Sequence, residues 1–112
     1  MSESAAEATV ALSSSHDRYE ITTDDELAGF TEFVDRDGRR IFYHTEIGEE
    51  FGGRGLGRQL IDRALSDTRA AELRIVPVCP FVKKHLQRHH EFDDLVDAVT
   101  QDAIAAVRER TR

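Results

Sequence analysis

The hydrophobic pattern of the first half of the chain is that of strands. Residues 18–23, 27–34 and 39–47 are rich in β-branched and aromatic side chains, and polar turn residues separate them. The Asp37-Gly38 pair between the last two segments supplies the positive-φ positions of a hairpin turn. We therefore predict an antiparallel meander of three strands.

The second half follows a helical period with one further strand. Leu56, Leu60, Ile61, Ala64 and Leu65 recur at helical spacing, which predicts a helix through about residue 68. Residues 73–78 read as a strand that follows a crossover helix, so it should lie parallel to the strand at 41–47. Pro77 lacks a backbone donor and indicates an edge strand.

Two more helices are predicted, over residues 81–89 and 94–110. The order β-β-β-α-β-α-α gives an α+β fold, a meander leading into a β-α-β unit with flanking helices. At 112 residues the chain has room for one core. We predict a disordered tail at 1–16, a domain at 17–96 and a helical extension at 97–112, because the first segment is small, polar and serine-rich.

Composition narrows the classes of partner. The formal net charge of −7 argues against nucleic acid. The longest apolar runs are too short to span a membrane, and the N-terminus lacks the features of a secretory signal. A single cysteine excludes an internal disulfide and fits a reducing cytoplasm, which we take as the expected location.

A glycine-rich stretch lies between the strand at 41–47 and the helix that follows it. Glycines at 52, 53, 55 and 57 leave backbone N–H groups uncovered, and the helix N-terminus adds its dipole. Arg54 and Arg58 add positive charge, so a phosphate or pyrophosphate is the natural ligand. The stretch lacks the Gly-Lys-Ser/Thr ending of a P-loop and the spacing of a dinucleotide fingerprint. The alternative is a glycine-rich turn without a ligand.

Cys79 precedes Pro80, a residue favoured at the first position of a helix, and so Cys79 is the expected N-cap. Free N–H groups, the helix dipole and the nearby Lys83 and Lys84 should lower the pKa of the thiol. Because parallel strands end at one edge of a sheet, the thiol and the glycine stretch should flank one crevice. Cys79 is therefore a candidate nucleophile, and the alternative is a buried structural cysteine.

Other polar side chains offer weaker candidates. His44 and Glu46 share a face by the period of two and each could accept a proton, although both could be ordinary sheet residues. His85 and His89 lie four residues apart and could pair on a metal with Cys79. No further ligand is apparent, so we predict no metal site.

Together these motifs resemble a family. The loop Gly53-Arg54-Gly55-Leu56-Gly57, with His44-Thr45-Glu46 before it and Cys79-Pro80-Phe81 after it, is similar to the small GNAT-like acetyltransferases of about a hundred residues. The resemblance implies a GNAT fold, acetyl-CoA held by the loop amides, a catalytic cysteine at Cys79 and a glutamate base at Glu46. The Arg or Gln that begins the family's loop pattern is replaced by Gly52.

The resulting hypothesis is an acetyl-CoA-dependent N-acetyltransferase that acts on an unidentified amine, either a small molecule or a protein. The alternatives are a non-catalytic CoA-binding module and an interaction domain whose last helix docks a partner. The sequence leaves the oligomeric state open. The candidate catalytic residues are Cys79, Glu46 and His44, and the candidate cofactor-binding residues are Ile47, Gly52, Gly53, Arg54, Gly55, Leu56, Gly57, Arg58, Pro80 and Lys83.

Overall fold

A computed structural model describes residues 8–13 and 15–112 as one five-stranded sheet with three α-helices. Short 3-10 helices at Glu49–Phe51 and Asp93–Leu95 lie in the connections. The elements in chain order are β1 Thr9–Ser13, β2 Arg18–Thr23, β3 Glu26–Arg36, β4 Arg39–Ile47, α1 Leu56–Ala70, β5 Arg74–Pro77, α2 Pro80–Arg88 and α3 Gln101–Thr111.

The strands are ordered β1-β2-β3-β4-β5, with antiparallel pairing up to β4 and parallel pairing between β4 and β5. The predicted α+β class, the meander, the parallel crossover and the edge position of Pro77 are confirmed. Helices α1 and α2 pack on one face of the sheet over the larger core, which includes Phe42, Leu60 and Val82. Helix α3 packs on the other face, where Ala103 and Ala106 cover Ile41 and Val76.

The segment 1–16 contains a strand that its composition did not predict. Thr9–Ser13 pair with β2, placing Val10 opposite Ile21 and Leu12 opposite Tyr19. Val10 packs against the larger core, so pairing gives this short segment both backbone hydrogen bonds and apolar burial. The prediction of a disordered tail is therefore wrong for residues 9–13, and for residues 1–7 and 14 it lies outside the described part of the chain.

The last helix begins later than predicted. Residues 93–95 form a 3-10 turn, Val96 bridges to Ile75, and α3 starts only at Gln101. The Asp97 N–H donates to the carbonyl of Ile75, and the Asp97 carboxylate accepts from Arg39 and Arg74 at 2.9 and 2.7 Å. These bonds hold the segment extended against β5. Thr100 then caps α3, its hydroxyl accepting from the Ala103 N–H at 3.2 Å.

A β-bulge in β4 changes which side chains face each core. Glu32 pairs with His44 and Phe33 pairs with Phe42, so Tyr43 is an extra residue without a partner in β3. Phe42 faces α1, whereas His44 lies on the same face as Glu32, toward the side of α3. Beyond the bulge Thr45 and Ile47 return to the α1 side, opposite Thr31 and Gly29.

A polar network ties the strands to α1. The buried Arg40 guanidinium donates two hydrogen bonds of 2.8 Å to Asp35 and one of 2.6 Å to the Tyr19 hydroxyl. The Tyr19 hydroxyl in turn donates to Asp67 of α1 at 2.5 Å. Burial is the main reason that the pKa of Tyr19 is raised far above its usual range. The network ties the last turn of α1 to the meander.

Candidate functional site

The glycine stretch turns the chain sharply between β4 and α1. Gly53 and Gly55 have φ angles of +79° and +74°, in the left-handed region that favours glycine. A Cβ atom at either position would have no neighbour within 4 Å, so the conformation and not crowding requires glycine. Both residues are exposed, which leaves space beside the backbone for a ligand.

The N-terminus of α1 has the features of an anion-binding site. Gly55 is the N-cap residue, no side chain caps the helix, and no acidic residue occurs in its first turn. Its first N–H groups and its dipole therefore face open space at the glycine stretch. Arg54 lies over the Phe51 ring at 5.7 Å, and Arg58 pairs at 3.6 Å with Asp62 one turn further along α1.

Three elements converge beside this stretch. A Cβ on Gly57 would come within 2.6 Å of the Phe81 ring and within 3.7 Å of the Ile47 side chain. Gly57 therefore allows the starts of α1 and α2 to meet the end of β4. Leu56 buries its side chain in the core, and Pro80 is the exposed first residue of α2.

Beyond Phe42, β4 separates from β5. The parallel pairing covers only Arg39–Phe42 and Arg74–Pro77. Beyond it, the Cys79 N–H, just after β5, donates to the Phe42 carbonyl of β4 at 2.8 Å. Among the described residues no strand pairs with the outer edge of β4 from Tyr43 to Ile47. A wedge therefore opens between this edge and the start of α2, next to the glycine stretch.

Cys79 lies at the narrow end of the wedge. It is the N-cap residue of α2, as predicted, but only 3% of it is exposed and its side chain makes no cap hydrogen bond. The thiol instead donates to the Thr45 hydroxyl at 3.3 Å, and that hydroxyl also bonds to Thr31 at 2.8 Å. The expected contact of sulfur with free N–H groups is thus absent, and Cys79 is buried as the structural alternative requires.

His44 and Glu46 form a pair on the opposite face of β4. Their side chains are hydrogen bonded at 2.7 Å from His44 Nε2 to Glu46 Oε2, and about half of each side chain is exposed. Because Thr45 lies between them in the strand and points to Cys79, the thiol and the pair flank β4 from two sides. The structure does not join the three candidate catalytic residues in one hydrogen-bonded chain.

Helix α2 separates two grooves. On one side lies a groove of about 420 Å³. It is lined by Arg58 of α1 and by Phe81, Lys84, His85, Arg88 and His89. Lys83 lies on the other side of α2, in a groove of about 520 Å³ that includes Pro77 and Val99. Of the two lysines, Lys84 therefore shares the face of Phe81 and Gly57, whereas Lys83 is on the face turned away from them.

His85 links the two helices beside the glycine stretch. Its Nε2 is 2.9 Å from Asp62 Oδ1, and its ring lies 4.6 Å from that of His89. Burial lowers the pKa of His85, although the Asp62 carboxylate acts in the opposite direction. Cys79 donates its thiol hydrogen to Thr45 and not to either of these histidines. Across residues 8–13 and 15–112, no three His, Cys, Asp or Glu side chains converge as a metal site would require.

Two features of the site were missed from the sequence. The Tyr43 bulge left no signal in the residue pattern, because alternation continues on either side of it. Thr45 could have been found, since the period of two that pairs His44 with Glu46 places the residue between them on the other face.

Comparisons with known proteins give a consistent result. A family model described as GCN5-related N-acetyl-transferase matches residues 18–95. The fold is similar to the solution structure of a protein from Staphylococcus aureus described as GCN5-like and as a candidate N-acetyltransferase. The TM-score is 0.63 at 21% identity, over 88% of this chain and 95% of that one. Among curated proteins none matches. No helix in the described part of the chain has the length and apolarity to cross a membrane.

Proposed function

Because the chain belongs to the GCN5-related N-acetyltransferase family, we propose that it transfers the acetyl group of acetyl-CoA to an amine. The observation that carries the proposal is the uncapped start of α1 beside two left-handed glycines. A helix N-terminus with free N–H groups and no acidic residue is suited to a pyrophosphate. The backbone of Gly53–Gly57 would hold it, with Arg54 and Arg58 adding positive charge.

The open edge of β4 supports the placement of the rest of the ligand. Acetyl-CoA supplies an activated thioester, and its pantetheine arm would occupy the wedge between Tyr43–Ile47 and α2. Unpaired backbone groups of a strand edge are ready partners for the amides of such an arm. Phe81 and Ile47 would line its entrance beside Gly57.

The His44–Glu46 pair is the proposed proton acceptor. The acceptor nitrogen forms the amide bond as the thioester C–S bond breaks, and the nitrogen must lose a proton in the process. Glu46 is exposed and already hydrogen bonded to His44, so it could take this proton directly or through water. This assignment keeps the acceptor on the α3 side of β4.

We assign Cys79 a part in the reaction from its place at the narrow end of the wedge. Its thiol is a donor to Thr45 and is shielded from solvent, which favours direct transfer to the amine over a free thiolate nucleophile. A thiol that must stay reduced would suit a cytoplasmic location.

The two alternatives make different use of the same fold. A non-catalytic CoA-binding module would need the glycine stretch but not the His44–Glu46 pair. The interaction-domain hypothesis relied on a free apolar face of the last helix, yet Ala103 and Ala106 of α3 are buried against the sheet. This packing favours the acetyltransferase over a docking helix.

A matched pair of variants tests the proposal. Gly55 and Gly38 both have positive φ and open space where a Cβ atom would lie, but only Gly55 is at the start of α1. Aspartate tolerates such φ values, as Asp37 does in this chain. We expect Gly55→Asp to weaken acetyl-CoA binding at least about tenfold by calorimetry, because its carboxylate repels the pyrophosphate. Gly38→Asp should bind like the wild type. Equal affinities in the two folded variants would reject the loop as the site.

A further inference from the structure

Part of the sheet face on the α3 side is not covered by that helix. We define the open sheet face as two cross-strand rows, each with one residue from β2, β3 and β4. Helix α3 covers Val34 and Ile41 at one end of this face, and the two rows lie beyond the bulge at the other end. The rows are Arg18–Glu32–His44 and Glu20–Phe30–Glu46.

An aromatic ring lies at the centre of the open sheet face. Phe30 is half-buried, the Arg18 guanidinium lies 4.4 Å from its centroid, and the His44 ring centroid is 6.0 Å away. The face of a phenylalanine ring attracts cations through its quadrupole. The contact of Arg18 with the Phe30 ring is a cation–π contact of this kind.

The charges of the open sheet face are unequal. Three carboxylates, those of Glu20, Glu32 and Glu46, stand against one guanidinium, that of Arg18. Arg18 is matched by Glu20 at 2.8 Å. Glu32 lies opposite both Arg18 and His44 in the register. An uncovered surface with this excess attracts a ligand of positive charge.

The spacing relates this surface to the proposed reaction. Directly paired residues on adjacent strands lie about 5 Å apart, so Phe30 and Glu32 are one strand away from the His44–Glu46 pair. A second cation held near Glu32 or Phe30 would therefore be about 5 Å or more from a nitrogen at Glu46. That separation corresponds to a short alkyl chain between two amines.

We infer that the acceptor is a small aliphatic amine that carries a second positive charge, bound on the open sheet face with its distal ammonium at Glu32 and Phe30. The inference rests on the proposed function and names its substrate class. The reacting amine is neutral, forms the new amide as the thioester C–S bond breaks, and gives its proton to Glu46. CoA leaves as a thiolate, the proton on Glu46 then passes through solvent to that sulfur, and the distal ammonium keeps its charge throughout.

Two amines distinguish the effect of the second charge on binding from the effect of the alkyl chain. The compound 1,4-diaminobutane has two amines, and butylamine has the same chain with one. We expect amide shifts at Phe30, Glu32 and His44 in NMR spectra of the CoA-saturated protein titrated with the diamine, and affinity about fivefold higher than for butylamine. Raising the salt concentration to about 0.5 M should reduce the difference.

Variants locate the second charge. Glu32→Gln should weaken diamine binding about threefold and leave butylamine binding unchanged. Glu72→Gln, at an exposed turn position just after α1, serves as the control and should behave like the wild type. In turnover assays, Glu32→Gln should raise KM for the diamine about threefold with kcat within about twofold.

The binding measurement keeps the inference separate from the proposed function. Acetyl-CoA binding that depends on Gly55, together with diamine shifts outside the open sheet face, would overturn the acceptor class and leave the cofactor site standing. Equal affinities for the two amines, or equal effects of Glu32→Gln and Glu72→Gln, would also overturn it. Loss of acetyl-CoA binding would instead count against the proposed function.

Discussion

Tyr43 determines how β4 presents its side chains to the proposed site. As the extra residue of the bulge, it moves His44 and Glu46 off the face of Phe42 and returns Thr45 to the face of Cys79. The proton acceptor and the thiol thus lie on two sides of one strand. A thioester placed at the free edge of that strand would be within reach of both.

The role of Cys79 is tested by replacing its sulfur. If the thiol participates in transfer, Cys79→Ser and Cys79→Ala should both lower kcat at least about tenfold, as removal of an acid–base group does. Because serine keeps a hydrogen-bond donor for Thr45, the free energy of unfolding of Cys79→Ser should remain within about 1 kcal/mol of the wild type. Steady-state kinetics and thermal unfolding provide the two readouts. Undiminished kcat in both variants would reduce Cys79 to a packing residue.

At the residue scale, the sequence identified the polar side chains that are candidates for the site but not the contacts that they make. The left-handed glycines and the N-cap position of Cys79 could be predicted because each depends on residues that are adjacent in the sequence. The bond from Cys79 to Thr45 joins residues 34 apart in the chain and depends on how α2 docks on β4. The same is true of Lys83, whose side of α2 is decided by where Phe81 packs.

Among the elements, α3 lies outside the segment that the family model matches, yet it completes the fold. It covers Ile41 and Val76 with small residues, and Arg36 of β3 pairs with Glu109 at 2.6 Å across the surface. The helix therefore closes the second core, and its end marks where the open sheet face begins.

A pair of adjacent alanines tests whether α3 is integral. Ala106 is fully buried and Ala105 is exposed. Ala106→Asp should lower the free energy of unfolding by about 3 kcal/mol, because an unpaired carboxylate enters the second core. Ala105→Asp should change it by no more than about 0.5 kcal/mol. Chemical denaturation measures both, and equal effects would mean that α3 is not packed as described.

The element boundaries show why some predictions succeeded. Strands β2 to β4 and helix α1 were predicted within about two residues at each end, since pattern and turn residues agree there. Strand β1 was missed because its short Thr-Val-Ala-Leu-Ser sequence lies in a segment that is otherwise small and serine-rich, and its strand structure depends on pairing with β2. The start of α3 was misplaced because Asp97 is held by Arg39 and Arg74, contacts that the helical period does not encode.

For the whole molecule, His85 makes stability sensitive to acid. Its pKa in the folded state is lowered by burial, so between that value and the ordinary value of about 6.5 the unfolded chain binds more protons. The stabilisation is complete above about pH 6.5 and is lost as pH falls. Asp62, His89 and Glu91 are the neighbouring charges that act on this histidine.

We expect the free energy of unfolding to decrease between about pH 7.5 and 5.5, by at most about 1.4 kcal/mol per pH unit for one proton. His85→Gln should flatten this dependence, because the group that titrates is removed. His90→Gln, at an exposed histidine, controls for the loss of a histidine as such. Urea unfolding at several pH values supplies the data. An unchanged slope in His85→Gln would show that other groups set the acid sensitivity.

The central claim is that acetyl-CoA lies between the glycine stretch and the free edge of β4. The most direct measurement is an amide NMR titration of the wild-type protein with acetyl-CoA. The account predicts shifts concentrated at residues 53–58 and 43–47, with the β3–β4 turn at Asp37 and Gly38 unaffected. Shifts centred instead on the groove of Pro77, Lys83 and Val99, with the glycine stretch unmoved, would contradict it.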